Sequence, residues 1–188
     1  MQKFLILYIC PITRQTMKLC IFLTLFLILS GTIVRGGPWF QSFEKASLQP
    51  FDKAGYYAVM ASAGVEAIDA ELSALESASI KEKEAYEGAL LMKKAGLLTR
   101  PKDKLATFKS GYRKLESALA KDSGNIEYHF LRLVIQEHAP KVVHYNKDQE
   151  SDSRDIIRSF KSLTPVIRQA ILDYCKHSNI LHERELNG

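Results

Sequence analysis

Histidines and the carboxylates near them are the first residues in this chain whose types could do chemistry. His129, His138 and His144, together with Glu127 and Glu137, supply the donor atoms of a zinc site. Their spacing does not: His129 and His138 stand nine residues apart, and Glu137-His138 lacks a second histidine four positions away that would put two ligands on one helical turn. They are expected instead at the surface or at helix ends, where the charged form of His138 is favoured by the dipole of the helix it closes. Cys175 lies two residues from His177, the composition of a thiol nucleophile and its base. Positions two apart on a helix diverge by about 200°, so the side chains would not meet. A half-buried thiol is expected. The chain has no glycine-rich phosphate loop, no serine nucleophile elbow and no paired carboxylates at catalytic spacing. Glu82 and Glu84 alternate with lysines, as at an exposed helix start. The sequence thus predicts no catalytic, cofactor-binding or metal-binding residue and no cofactor.

Charge offers one further surface. Between Gly64 and Met92 there are seven acids and two bases, and between Lys93 and Lys121 nine bases and two acids. In antiparallel helices these segments would largely neutralise each other across solvated faces, at tenths of a kcal/mol per pair. The functional reading is a basic interaction surface formed by Lys93, Lys94, Arg100, Lys102, Lys104, Lys109, Arg113 and Lys114, facing an acidic protein, a polysaccharide or phospholipid head groups.

The elements that would position these residues follow a basic, apolar leader. Leu19 to Val34 runs for 16 residues without a charge after Arg14, Met17 and Lys18, and is followed by Arg35-Gly36-Gly37-Pro38. This is the three-part pattern of a secretory signal, with cleavage expected before Gly37. As a helix it would reach about 24 Å, short of the ~30 Å hydrocarbon core, so a signal anchor at residues 19–34 is the secondary reading. Thr32 stands where a lipoprotein signal needs its cysteine, and residues 1–16 read as an extension ahead of a start at Met17. The first 36 residues hold four bases and no acid, so the remainder carries 22 bases and 21 acids. Nucleic acid is therefore not expected as a partner. Cys175 is the only cysteine after the leader, which leaves no intramolecular disulfide there.

Residues 37–51, with Trp39, Phe40, Phe43 and Phe51, read as an irregular arm, 52–180 as one helical domain and 181–188 as a frayed tail. Val65, Ile68, Leu72 and Leu75 predict a helix over 64–77, and Tyr86, Ala89, Leu90 and Met92 a second one ending at Ala95-Gly96. Leu105, Phe108, Tyr112, Leu115 and Leu119 mark a helix over 102–120 with these residues as its buried face. A helix over 126–139 has two apolar faces: Ile126, Phe130, Leu133 and Val134 on one, Tyr128, Leu131 and Ile135 on the other. It is expected to be central, with Asn125 or Ser123 capping its start and Pro140 stopping it. A helix capped by Ser151 or Asp152 bears Ile156, Ile157 and Phe160; the last opens on Thr164-Pro165 and buries Val166, Ile167, Ala170, Ile171 and Tyr174.

The result is an all-α chain of antiparallel helix pairs, as a bundle or a short solenoid. The segment FKSGYRKLESALAKDSGNIEYHFLRL resembles the second helix of a tetratricopeptide repeat running into the next. Phe108, Gly111, Leu115 and Ala118 occupy that pattern's aromatic, small, large and small positions; Ser123 replaces its proline, and no second copy follows at a 34-residue period. With the leader and the run EYHFLRLVIQEHAP, the chain also resembles exported helical proteins of Bacteroidota-type bacteria. That resemblance implies a periplasmic or secreted location and no activity; the tetratricopeptide-like segment and the leader together give the expectation of a non-enzymatic module that binds another envelope protein, touching the membrane only through an uncleaved leader. The competing expectation is a small helical hydrolase or ligand-carrying bundle with a pocket lined by Tyr56, Tyr57, Tyr86, Tyr112, Tyr128 and Tyr174.

Overall fold

Apolar residues at helical spacing, with proline kept to junctions and helix starts, give eight α-helices and no strand among the described residues. The computed structural model describes residues 50–62 and 64–186. The leader, its cleavage site, the anchor reading of 19–34, the arm up to residue 49 and the last two residues lie outside them. The helices are α1 (Lys53–Ser62), α2 (Val65–Ser77), α3 (Lys83–Leu97), α4 (Pro101–Lys121), α5 (Ile126–His138), α6 (Gln149–Ser159), α7 (Pro165–Cys175) and α8 (Glu183–Leu186). Single 3₁₀ turns at Lys141–Val143 and Phe160–Ser162 complete the set. None of the helices among the described residues is long and apolar enough to cross a membrane.

Local chemistry explains most of the boundaries. Pro101 and Pro165 open α4 and α7, at positions where the missing N–H has no helical partner to lose. Asn125 caps α5, its side-chain oxygen accepting the Glu127 N–H at 3.1 Å. Ala139 is driven to extended geometry by the proline after it, which ends α5 at His138. Two expected caps differ. Thr164 sits at the start of α7 without a capping hydrogen bond from its hydroxyl. α6 begins at Gln149, so Asp152 lies inside its first turn and is fully buried, because its carboxylate is engaged by Arg132 and His129.

Helix α5 organises the packing. Tyr128, Leu131 and Ile135 enter one core with Tyr56, Ile68, Leu75, Tyr86, Leu90 and Leu115, drawn from α1 to α4. Phe130 and Leu133 enter a second core with Ile156, Phe160, Ile167, Ile171, Leu181 and Leu186. Phe51, the described end of the arm, packs against Tyr56 and Tyr86 with ring centroids 6.2 and 5.5 Å apart.

Three sequence expectations need correction. The apolar stripe of α4 is not buried throughout: Leu115 and Leu119 are covered, but Leu105 is 49% and Tyr112 41% exposed. Val166, expected inside α7, is 38% exposed, while Ile167 and Ile171 supply the buried face. The segment after Asn179 is also no frayed tail. Leu181 and Leu186 are buried, and the Ser178 hydroxyl accepts the N–H groups of Ile180 and Leu181 at 3.1 and 3.0 Å, turning the chain back onto the core.

Candidate interaction surface

The basic residues singled out in the sequence lie on the hairpin formed by α3 and α4. These helices approach closely at Gly88 and Gly111, where a side chain on either would collide with the other backbone. Acids of α2 and α3 meet several of the bases. Lys94 pairs with Asp69 at 2.5 Å, Lys114 with Glu87 at 2.6 Å and Lys121 with Glu84 at 2.6 Å. Arg100 reaches Asp103 at 3.5 Å, and Lys93 is half-buried, its ammonium pushed below the usual lysine range by loss of water. Lys102, Lys104, Lys109 and Arg113 remain exposed, with no ion pair among the described residues. The structure thus neutralises part of the basic segment and leaves these four cations on the N-terminal half of α4 or just past it.

The same half carries the exposed end of the apolar stripe. The enclosed end of the stripe packs on α3, where Leu115 of α4 abuts Gly88. Arg132 of α5 faces Glu116 of α4 at 3.7 Å, near the covered end. The loop after α5 extends the cover by one aromatic ring: Tyr145 meets Phe108 and Tyr112 edge-on, with centroids 5.9 and 5.2 Å apart, and donates its hydroxyl to Glu116 at 2.6 Å. Leu105 lies beyond this cover. Val142, in the 3₁₀ turn of the covering loop, is 80% exposed, and Lys141 and Lys147 of that loop are exposed as well. His144, between them, has a positive φ of 49° and faces solvent.

His129 is not a surface histidine, as the sequence suggested, but part of a largely buried ionic centre. Its Nδ1 stands 2.6 Å from Asp152 Oδ1 and its Nε2 2.8 Å from the Ser123 carbonyl oxygen. Both partners are acceptors, so the arrangement is fully satisfied only when both ring nitrogens carry protons. The Asp152 carboxylate holds the imidazolium above the usual histidine range; burial opposes this and the Ser123 carbonyl adds to it. Burial alone would raise Asp152, but Arg132 and His129 outweigh it and hold the carboxyl below its ordinary range. Arg132 makes two 2.7 Å contacts to Asp152 and lies within 3.8 Å of Asp148. An aspartate on Nδ1 is half of a catalytic dyad. Here the other nitrogen donates to a backbone carbonyl and has no lone pair for a substrate proton, so the centre ties α5, α6 and the turn before α5 together.

The tyrosines do not come together around one space. Tyr57 and Tyr86 both donate to Glu127 Oε1, the former at 2.8 Å, while Lys53 reaches Glu127 Oε2 and Glu82 at 3.1 Å each. Tyr56 stacks on Tyr86 at 4.2 Å and donates to its carbonyl oxygen at 3.2 Å. Burial, then the Glu127 charge, pushes all three phenols well up. Tyr128 is raised to about 12, first by burial and then by nearby carboxylates. Tyr112 lies on α4, and Tyr174 donates to Glu137. Burial would raise Glu137, but hydrogen bonds from Tyr174, Ser178 and the Asn179 N–H hold it below the carboxylate range. Cys175 is half-buried, its thiol pushed up to about 11 by burial and then by Glu183 and Glu185. That opposes the thiolate a nucleophile needs.

Two surface depressions accompany these centres. One of about 300 Å³ is bordered by Gln136, Glu137, Pro140, Tyr145, Gln149 and Asn179, and one of about 250 Å³ by Glu116, Leu119, Ala120, Ser123, His129 and Arg132. None of the six tyrosines named from the sequence borders either. Among the described residues, every buried side-chain polar atom has a partner and no three His, Cys, Asp or Glu side chains converge as a metal site would require. No family model matches the chain, and no curated protein or solved structure was found to be similar to it.

Proposed function

We propose that this chain is an exported, non-enzymatic helical module that binds another protein of the cell envelope through the N-terminal half of α4. The observation that carries the reading is the half-exposed stripe of that helix: the repeat that buries Leu115 and Leu119 continues into solvent at Leu105 and Tyr112, among exposed cations. Exposed apolar residues grouped on one element, rather than scattered, mark contact surfaces. The saturated polar centres favour binding over catalysis. The leader supports export, with residues 19–34 as an anchor if it is not removed. The tetratricopeptide-like reading draws support from the α3–α4 pair, packed through small residues at Gly88 and Gly111.

The test is affinity capture from an envelope fraction with the native chain and a Leu105→Asp/Tyr112→Asp variant, after circular dichroism has shown that both are equally helical. The reading expects a protein held by the native chain and released by the variant. Equal recovery from both, or none from either at several salt concentrations, contradicts it.

A further inference from the structure

We infer that the occupant of the exposed α4 stripe is an acidic amphipathic helix of a partner protein. This rests on the interaction reading above and specifies its chemistry. Leu105, Phe108 and Tyr112 fall three and four residues apart, so they form a straight ridge along α4, of the kind into which a second helix packs its own apolar ridge. The ridge lies on the same helix whose later residues Leu115 and Leu119 are enclosed, so it prolongs a packed stripe into solvent. At about 100° per residue, Lys109 lies near 40° from Leu105, and Lys102 and Arg113 lie within about 80° on the same side, with Lys104 about 100° away on the other. Exposed cations therefore flank the ridge.

Charge decides the partner's sign. The acids closest in sequence to this surface are engaged: Asp103 with Arg100, and Glu116 with Tyr145 and Arg132. The acids of α2 and α3 that form ion pairs with this hairpin are held by Lys94 of α3 and by Lys114 and Lys121 of α4. The field around Leu105 and Tyr112 is thus left positive by Lys102, Lys104, Lys109 and Arg113. A basic helix would have to bring its own charges against this field and a neutral one would gain nothing from it, whereas flanking glutamates would meet cations already in place.

The experiment titrates the chain, as recovered from cells, into a fluorescein-labelled amphipathic peptide with leucines on one face and glutamates on its flanks. Its counterpart with lysine for every glutamate is the control, and phosphatidylglycerol vesicles and sedimentation of the chain alone complete the set. Expected is saturable binding of the acidic peptide, weakened about tenfold by Lys109→Glu/Arg113→Glu and by added salt, lost with Leu105→Asp, and absent for the lysine peptide. Equal binding of both peptides, vesicle binding without peptide binding, or a Leu105-dependent self-association that occupies the stripe overturns the inference. If the capture experiment succeeds while the peptide fails, the acidic-helix inference falls and the interaction reading stands. If the capture experiment also fails, both fall.

Discussion

Gly88 of α3 and Gly111 of α4 stand back to back: a β-carbon built on Gly111 would lie 2.5 Å from the Gly88 carbonyl oxygen, and one on Gly88 would lie 2.6 Å from the Leu115 nitrogen. Both obstacles are backbone, which cannot rotate away, so a methyl group must separate the helices. Gly111→Ala or Gly88→Ala is therefore expected to cost about 1–3 kcal/mol or more, as overpacking does. Gly96, near the end of α3, has nothing within 4 Å of a would-be β-carbon. Gly96→Ala should stabilise by up to about 1 kcal/mol. Urea denaturation of the three variants checks the contrast, and equal effects would show that the two helices do not meet at these glycines.

The half-exposed stripe of α4 separates stability from binding. Leu115→Ala should cost about 2–5 kcal/mol, because the side chain is fully enclosed. Leu105→Ser, on the same stripe ten residues earlier, should change stability by no more than about 0.5 kcal/mol. Thermal melts of both variants measure this. A large loss from Leu105→Ser would mean that the residue is covered.

The buried ionic centre predicts a pH dependence with a definite sign. His129 is held above its unfolded value by Asp152 first, so its stabilising contribution is complete below about pH 6.5 and is lost as pH rises through the folded value. Asp152 is held below its unfolded value, so its contribution is present above that value and is lost as pH falls through the folded one. The centre should be most stabilising between these limits. NMR titration of the His129 ring is expected to give a midpoint above that of a solvent-exposed histidine, and His129→Asn should remove the alkaline-side decline in melting temperature. A midpoint at or below the ordinary value would contradict the doubly protonated ring.

Removing the shared carboxylate should be costly, because it strands two cations. Asp152→Ala leaves Arg132 and His129 without their buried acceptor and is expected to lose about 3–5 kcal/mol. Chemical denaturation near neutral pH measures it, and a loss below about 1 kcal/mol would place the pair effectively in solvent.

Much of the fold was legible in the sequence, for reasons that also mark where legibility stopped. The two apolar faces of α5 were readable from Phe130 and Leu133 against Tyr128 and Leu131, because a helix buried on both sides shows its periodicity twice. Periodicity reports which residues share a face, but not whether anything covers that face. Leu105 and Leu115 therefore read alike, although only Leu115 is covered. The end of the chain was misread because its charges, from Glu183 to Glu185, stand between Leu181 and Leu186, too few residues for a period to emerge. Leu181→Ala should accordingly cost about 2–5 kcal/mol, measurable by the same denaturation, where a frayed end would lose almost nothing. The His129, Arg132 and Asp152 centre joins α5 to α6 across the loop between them. No local spacing encodes that contact, although three charged residues on otherwise apolar helix faces were a usable signal.

The central claim is that the N-terminal half of α4 is a contact surface, and site-specific photo-crosslinking in the producing cells tests it most directly. A photoreactive residue at Leu105, and another at Tyr112, should each yield a discrete crosslinked protein band. The same residue at Glu66, exposed on α2, should not. Bands of equal yield from Glu66, or none from Leu105 and Tyr112, would contradict the account.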